Sequence, residues 1–163
     1  MANKQYGSMA KSLHSLVALL ISVTILLGYV MDDFAAQYHH FYGNMHKSMG
    51  IVILALVIFR IFWALTHKAA RYDSAMPKHV QIVAKAAHVV IYIAILVMPL
   101  SGWIMSTASN HIPHFLGWFD FPMPGIPQSA ALAGVAHDFH NAFAWVIIIL
   151  VSLHIVTAFV HQW

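Results

Sequence analysis

Along the chain, long apolar blocks alternate with short polar connections. The blocks near 12–31, 46–65, 82–105 and 139–161 are each long enough to cross a hydrocarbon core of about 30 Å, which takes about 20 helical residues. Unpaired backbone groups are too costly in lipid for any open-chain alternative, so each block predicts a transmembrane helix. The expected fold is all-α: an integral membrane four-helix bundle forming a single domain over 1–163, embedded in lipid. Within the third block, Pro99 predicts a kink, with Ser101 and Gly102 beside it to accommodate the break. The connection 106–138 carries Pro113, Pro122, Pro124 and Pro127 among Phe115, Trp118, Phe119 and Phe121, which predicts an ordered lid rather than a tether.

Charge assigns an orientation to these spans. Lys4 and Lys11 precede the first, Arg60 approaches the end of the second, and Lys68, Arg71, Lys78 and Lys85 surround the second connection. The first connection holds Asp32 and Asp33; the third holds Asp120 and Asp138 and no Lys or Arg. The positive-inside rule therefore predicts cytoplasmic N- and C-termini, with the first and third connections facing outward. Composition agrees with the membrane class: 61% hydrophobic, 8% charged, mean hydropathy +0.75. The basic residues are too few and too scattered for a nucleic-acid surface, despite a pI near 9.3. With 13 histidines and no cysteine, thiolate chemistry, disulfides, Fe–S clusters and covalent c-type haem are excluded.

The histidines carry the candidate chemistry. His140 and His154 are fourteen residues apart on the fourth span, roughly 21 Å and nearly four turns, so they share a face near opposite membrane surfaces. An imidazole in hydrocarbon needs a partner, and two on one face need two partners or two cofactors. His14 opens the first span at the depth of His154, and His46 opens the second at the depth of His140. Two bis-histidine pairs result, each drawn from different helices with room for a b-type haem between them.

Three further positions lie fourteen residues from a histidine on their own span. Gly28 follows His14, where an outer haem would approach the first helix; Gly102 follows His88; and Arg60 follows His46, where it pairs with a haem propionate or snorkels to the interface. His88 is the rival inner ligand or a quinone contact, or else a packed histidine on a neighbouring carbonyl. His161, two turns beyond His154 on its face, is a candidate quinone contact or an interfacial polar residue. His137, three residues before His140, is the rival outer ligand, and His39, His40, His111 and His114 fall in outward connections as solvated residues. A histidine-based divalent-metal transporter is the reading from another class. Against it, the spans hold no acidic residue and the pairs do not converge on one ion.

The ordered set Ser12-Leu13-His14, Gly43-Asn44-Met45-His46, Val57-Ile58-Phe59-Arg60, Ala87-His88-Val89-Val90-Ile91-Tyr92, Met98-Pro99-Leu100-Ser101-Gly102, Phe139-His140, Leu153-His154 and Val160-His161 resembles the prokaryotic cytochrome b561 family over nearly the whole length. These are four-helix dihaem membrane cytochromes, some of them superoxide oxidases that reduce ubiquinone. The resemblance implies axial pairs His14 with His154 and His46 with His140, two haems b, and electron flow from the outer side to ubiquinone near the cytoplasmic side. It implies superoxide as the outer reductant, a superoxide:ubiquinone oxidoreductase activity, and a basic tail beyond the fourth helix, where this sequence ends at Trp163. Lys47 faces four aspartates on the outer side, a charge pattern that adds no steering toward an anion. The other implied role is the cytochrome b subunit of a larger hydrogenase or reductase, with a redox protein docking on the outer connections.

Overall fold

The structure is a computed structural model and describes residues 8–31, 33, 36–67 and 77–160. Its helices are α1 (Ser8–Val30), α2 (Ala36–Thr66), α3 (Lys78–Ala108) and α4 (Ala130–Val160), with two short strands, β1 (His114–Phe115) and β2 (Phe119–Asp120), between α3 and α4. All four helices are long and apolar enough to cross a membrane. The 31-residue helices α2, α3 and α4 each measure about 46 Å at 1.5 Å per residue, well beyond a hydrocarbon core of about 30 Å.

That excess length accounts for the largest departures from the expected boundaries. α2 begins at Ala36 rather than near 46, and α4 at Ala130 rather than near 139, so residues 130–138, expected in the connection, are helical. Hydropathy marks where lipid ends, whereas helical hydrogen bonding continues through the polar and aromatic residues 36–45.

Helices adjacent in sequence pack together, and the longest contact is between α3 and α4. Along α1 the buried residues Leu13, Val17, Ile21 and Thr24 recur every three or four positions, the period of one helical face. Val17 and Ile21 meet Ile53 and Val57 of α2, Ala94 and Ile95 of α3, and Ile147 of α4 in one apolar cluster. Large side chains such as Leu19, Leu26, Phe62, Ile82 and Ile149 point outward, as a lipid-facing surface requires. α3 runs unbroken through Pro99, with Ser101 Oγ donating to Met98 O at 2.8 Å.

The α3–α4 connection is a folded cap. β1 and β2 pair antiparallel, with His114 opposite Asp120 and a 3.0 Å contact from His114 Nδ1 to Asp120 Oδ1. The turn between them takes positive φ at Leu116 (50°) and Gly117 (78°). Leu116 N–H donates to Ser48 Oγ (3.0 Å), Lys47 Nζ to His111 O (2.8 Å), Trp103 Nε1 to Phe121 O (2.8 Å) and Met123 N–H to Thr107 Oγ1 (2.9 Å). Trp103 and Phe121 also stack, with centroids 5.0 Å apart. These bonds fasten the connection to Lys47 and Ser48 within α2 and to the last turns of α3, hereafter the hairpin end; the opposite end, where α1 begins and α4 finishes, is the terminal end.

Candidate functional site: two facing histidine pairs

At the hairpin end, His46 of α2 and His140 of α4 face each other with ring centroids 6.1 Å apart and planes at 77°. Both rings are fixed from behind. His46 Nδ1–H donates to Thr24 O of α1 at 3.1 Å, and His140 Nδ1–H donates to Met98 O of α3 at 2.9 Å. A carbonyl can only accept, so each Nδ1 carries the proton and each Nε2 keeps a free lone pair.

Glycine makes room for both rings. A Cβ added at Gly28 would lie 2.8 Å from His46 Cε1, and one at Gly102 would lie 2.8 Å from His140 Cε1 and 2.9 Å from its Nδ1. Both distances are well inside carbon van der Waals contact of about 3.5 Å, so only glycine admits the imidazoles where they stand. The two histidines border a cavity of about 260 Å³, walled largely by apolar side chains such as Ile21, Ile53, Met98 and Ile147, with Lys47 and His137 also on its lining. Thr24 Oγ1, buried in the same wall, has no hydrogen-bond partner among the described residues.

At the terminal end, His14 of α1 and His154 of α4 repeat the relationship, with centroids 6.1 Å apart and planes at 79°. His154 has a second neighbour, His88 of α3, at 5.9 Å and 87°. His88 Nδ1–H is committed to Ala84 O at 2.6 Å, the neighbouring-carbonyl contact expected of a packed histidine. Arg60 of α2 reaches across to α1 and α3: its Nη1 donates to His14 Nδ1 at 2.7 Å, and its guanidinium lies 5.7 Å from the centre of the Tyr92 ring. No ion pair ties it to an acidic side chain among the described residues.

A model of prokaryotic cytochrome b561 matches residues 5–163. The chain belongs to the prokaryotic cytochrome b561 family. A relative, cytochrome b561 homolog 2 of Escherichia coli (strain K12), is 25% identical over 161 residues, covering 98% of this chain and 85% of the relative. Members of the cytochrome b561 family bind haem b and carry electrons across membranes, and this chain is a multi-pass membrane protein of that kind.

The residues fit a b-type haem. Two imidazole nitrogens sharing one metal ion at about 2 Å each hold their ring centroids roughly 6 Å apart, the spacing found in both facing pairs. At the hairpin end the proton arrangement also suits ligation, since the Nδ1–H bonds to carbonyls are the usual outer support of a metal-bound imidazole. Of the residues singled out from sequence, His14, His46, His140 and His154 stand in facing pairs, and Arg60 and His88 join the terminal pair. His137 lines the cavity without facing His46 as His140 does, and His161 lies outside the described residues.

Sequence reasoning missed the supporting carbonyls of Thr24 and Met98, because a main-chain acceptor has no residue signature. Gly28 and Gly102 did give a signal, but for a different contact: they cradle the ligand-type imidazoles themselves.

Proposed function

We propose that this cytochrome moves electrons across the membrane through two haems b, from superoxide at the hairpin end to ubiquinone at the terminal end. His46 with His140 would hold one haem and His14 with His154 the other. The observation that carries this reading is the pair of imidazole couples at opposite ends of the bundle, each with centroids 6.1 Å apart. Haem b, held by the imidazoles of these two couples, would supply reversible one-electron chemistry.

The chain's own residues hold, orient and insulate. Thr24 O and Met98 O set the ring orientation at the hairpin end. The apolar cluster around Val57 keeps water from the space between the two levels. Arg60 offers a cation to a propionate at the terminal end, where His88 and His161 are the candidate quinone contacts. The lysines at the N-terminus and the lysines and arginine around the α2–α3 connection support a cytoplasmic terminal end in a bacterial inner membrane, with the cap facing outward. Metal transport is disfavoured: among the described residues no three His or acidic side chains gather where one ion would bind.

A second reading, the electron-carrying subunit of a larger hydrogenase or reductase, draws support from the cap. Leu116, Trp118 and Phe119 at its tip are 50%, 75% and 48% exposed, an apolar patch suited to a protein donor. Stopped-flow mixing of the purified protein with superoxide, in the presence of ubiquinone, separates the two. Haem-band reduction faster than spontaneous dismutation, with ubiquinone consumed, is expected. No reduction above that background would remove superoxide and leave the protein-donor reading.

A further inference from the structure

We infer that the tip of the β1–β2 hairpin, Leu116 with Trp118 and Phe119, is seated in the lipid interface of the leaflet at the hairpin end, so that its partner is the bilayer rather than a donor protein. This seat requires only the membrane-spanning helices and no bound haem.

The hairpin is anchored on two helices at heights that agree. Leu116 N–H donates to Ser48 Oγ at 3.0 Å, and Ser48 lies two residues inside the apolar block near 46–65. Trp103 Nε1–H donates to Phe121 O at 2.8 Å, and Trp103 lies two residues inside the block near 82–105. At 1.5 Å per residue, each anchor is about 3 Å inside the edge of the hydrocarbon. α2 meanwhile continues outward from Ser48 for twelve residues to Ala36, about 18 Å. The connection therefore does not stand on top of the bundle. It folds back beside α2 until its tip is level with the membrane surface.

The tip has the chemistry of that layer. From Phe115 to Phe119 the run Phe-Leu-Gly-Trp-Phe carries no charge, and the ionisable groups that flank it, His114 and Asp120, pair with each other at 3.0 Å. Leu116, Trp118 and Phe119 are exposed. Trp is enriched where headgroups meet acyl chains, because the indole lays an apolar body against the chains and offers its N–H to a headgroup oxygen. The hairpin is also braced: Phe119 and Phe121 pack on Phe115 at 5.6 and 5.9 Å, and Phe121 stacks on Trp103 of α3. The depth of Trp118 is thus set by α3 rather than by a free loop. Pro113, which leads into β1, is buried on the lining of the cavity beside His46 and His140, so a tip seated in lipid holds that lid down from the membrane side. A protein donor docking on the tip would need the same three side chains in water; a small donor would not.

The chain has no cysteine, so a single nitroxide label can be placed by one substitution. Full-length Trp118→Cys and Tyr38→Cys, each spin-labelled and reconstituted in nanodiscs of phosphatidylcholine and phosphatidylglycerol, are compared by their relaxation by oxygen, which partitions into lipid, and by a water-soluble nickel chelate. Tyr38 is exposed on α2, ten residues or about 15 Å outward of Ser48, and is the aqueous reference. The label at 118 is expected to be relaxed roughly threefold or more by oxygen relative to the chelate, and the label at 38 in the opposite order. Phe119→Cys reads the same tip where Trp118→Cys folds poorly. A tip label relaxed by the chelate as much as by oxygen, or more, would overturn the inference and return the patch to a protein donor. Oxygen dominance at both 118 and 38 would overturn the depth assigned to the anchors, and the inference with it. Neither readout depends on haem content, so the histidine pairs stand or fall separately.

Discussion

His46 and His140 are held face to face, centroids 6.1 Å apart, by two carbonyls on two other helices: Thr24 O of α1 behind one ring and Met98 O of α3 behind the other. All four helices therefore meet in a single pair of side chains. That geometry exists only because Gly28 and Gly102 leave space for the rings, which gives the first prediction.

Gly28→Ala and Gly102→Ala each place a methyl group 2.8 Å from an imidazole carbon. Neither ring can retreat without leaving its carbonyl, so each substitution is expected to cost about 1–3 kcal/mol of overpacking and to weaken haem retention at the hairpin end roughly tenfold or more. Gly43→Ala, whose added Cβ meets nothing within 4 Å, is the matched control and should behave as wild type. Haem-to-protein ratios after dilution into a haem-scavenging buffer read the difference. Equal retention in all three variants would remove the cradle argument.

How much of this could be read from sequence follows from what each feature depends on. Four spans and the depths of His14, His46, His140 and His154 follow from hydropathy and helical rise alone, which act over whole turns and need no detail. Helix ends did not follow: α2 and α4 extend about nine or ten residues past the apolar blocks, because water tolerates a helix as well as a loop does. The β1–β2 hairpin was also hidden. Its strands are two residues each, too short for alternation to register, and its turn places Leu116 at φ 50°, a conformation leucine gives no reason to expect. Arg60 was expected on a propionate or at the interface. Its contact with His14 depends on which way one long side chain folds, which spacing does not encode.

Ser48 is the pin of the cap. It is 2% exposed, and its Oγ accepts from Leu116 N–H at 3.0 Å. Ser48→Ala leaves that N–H without its partner, at a cost of about 1–3 kcal/mol, and loosens the hairpin locally. Hydrogen exchange at Leu116 should accelerate roughly tenfold or more, with amides in the middle of α3 unchanged. Unchanged exchange at Leu116 would mean that the remaining bonds from Lys47, Trp103 and Thr107 hold the cap without it.

Two histidines near the pairs are expected to be dispensable for haem content. His137 lines the cavity but does not face His46, and His88 of α3 lies beside His154 at 5.9 Å, where His14 of α1 takes the place facing His154 in the proposed pair. His137→Ala and His88→Leu should each retain two haems per chain with unchanged low-spin spectra. Loss of one haem in either variant would name that residue as a ligand and displace His140 or His14.

The haem content of the pure protein and of two single variants bears most directly on the dihaem arrangement. A pyridine haemochrome assay is expected to give two haems b per wild-type chain and one in each of His140→Ala and His154→Ala. The remaining haem in each variant should keep a bis-histidine spectrum. One haem or none in wild type, or two haems surviving either substitution, would contradict the assignment of these facing imidazoles as axial pairs.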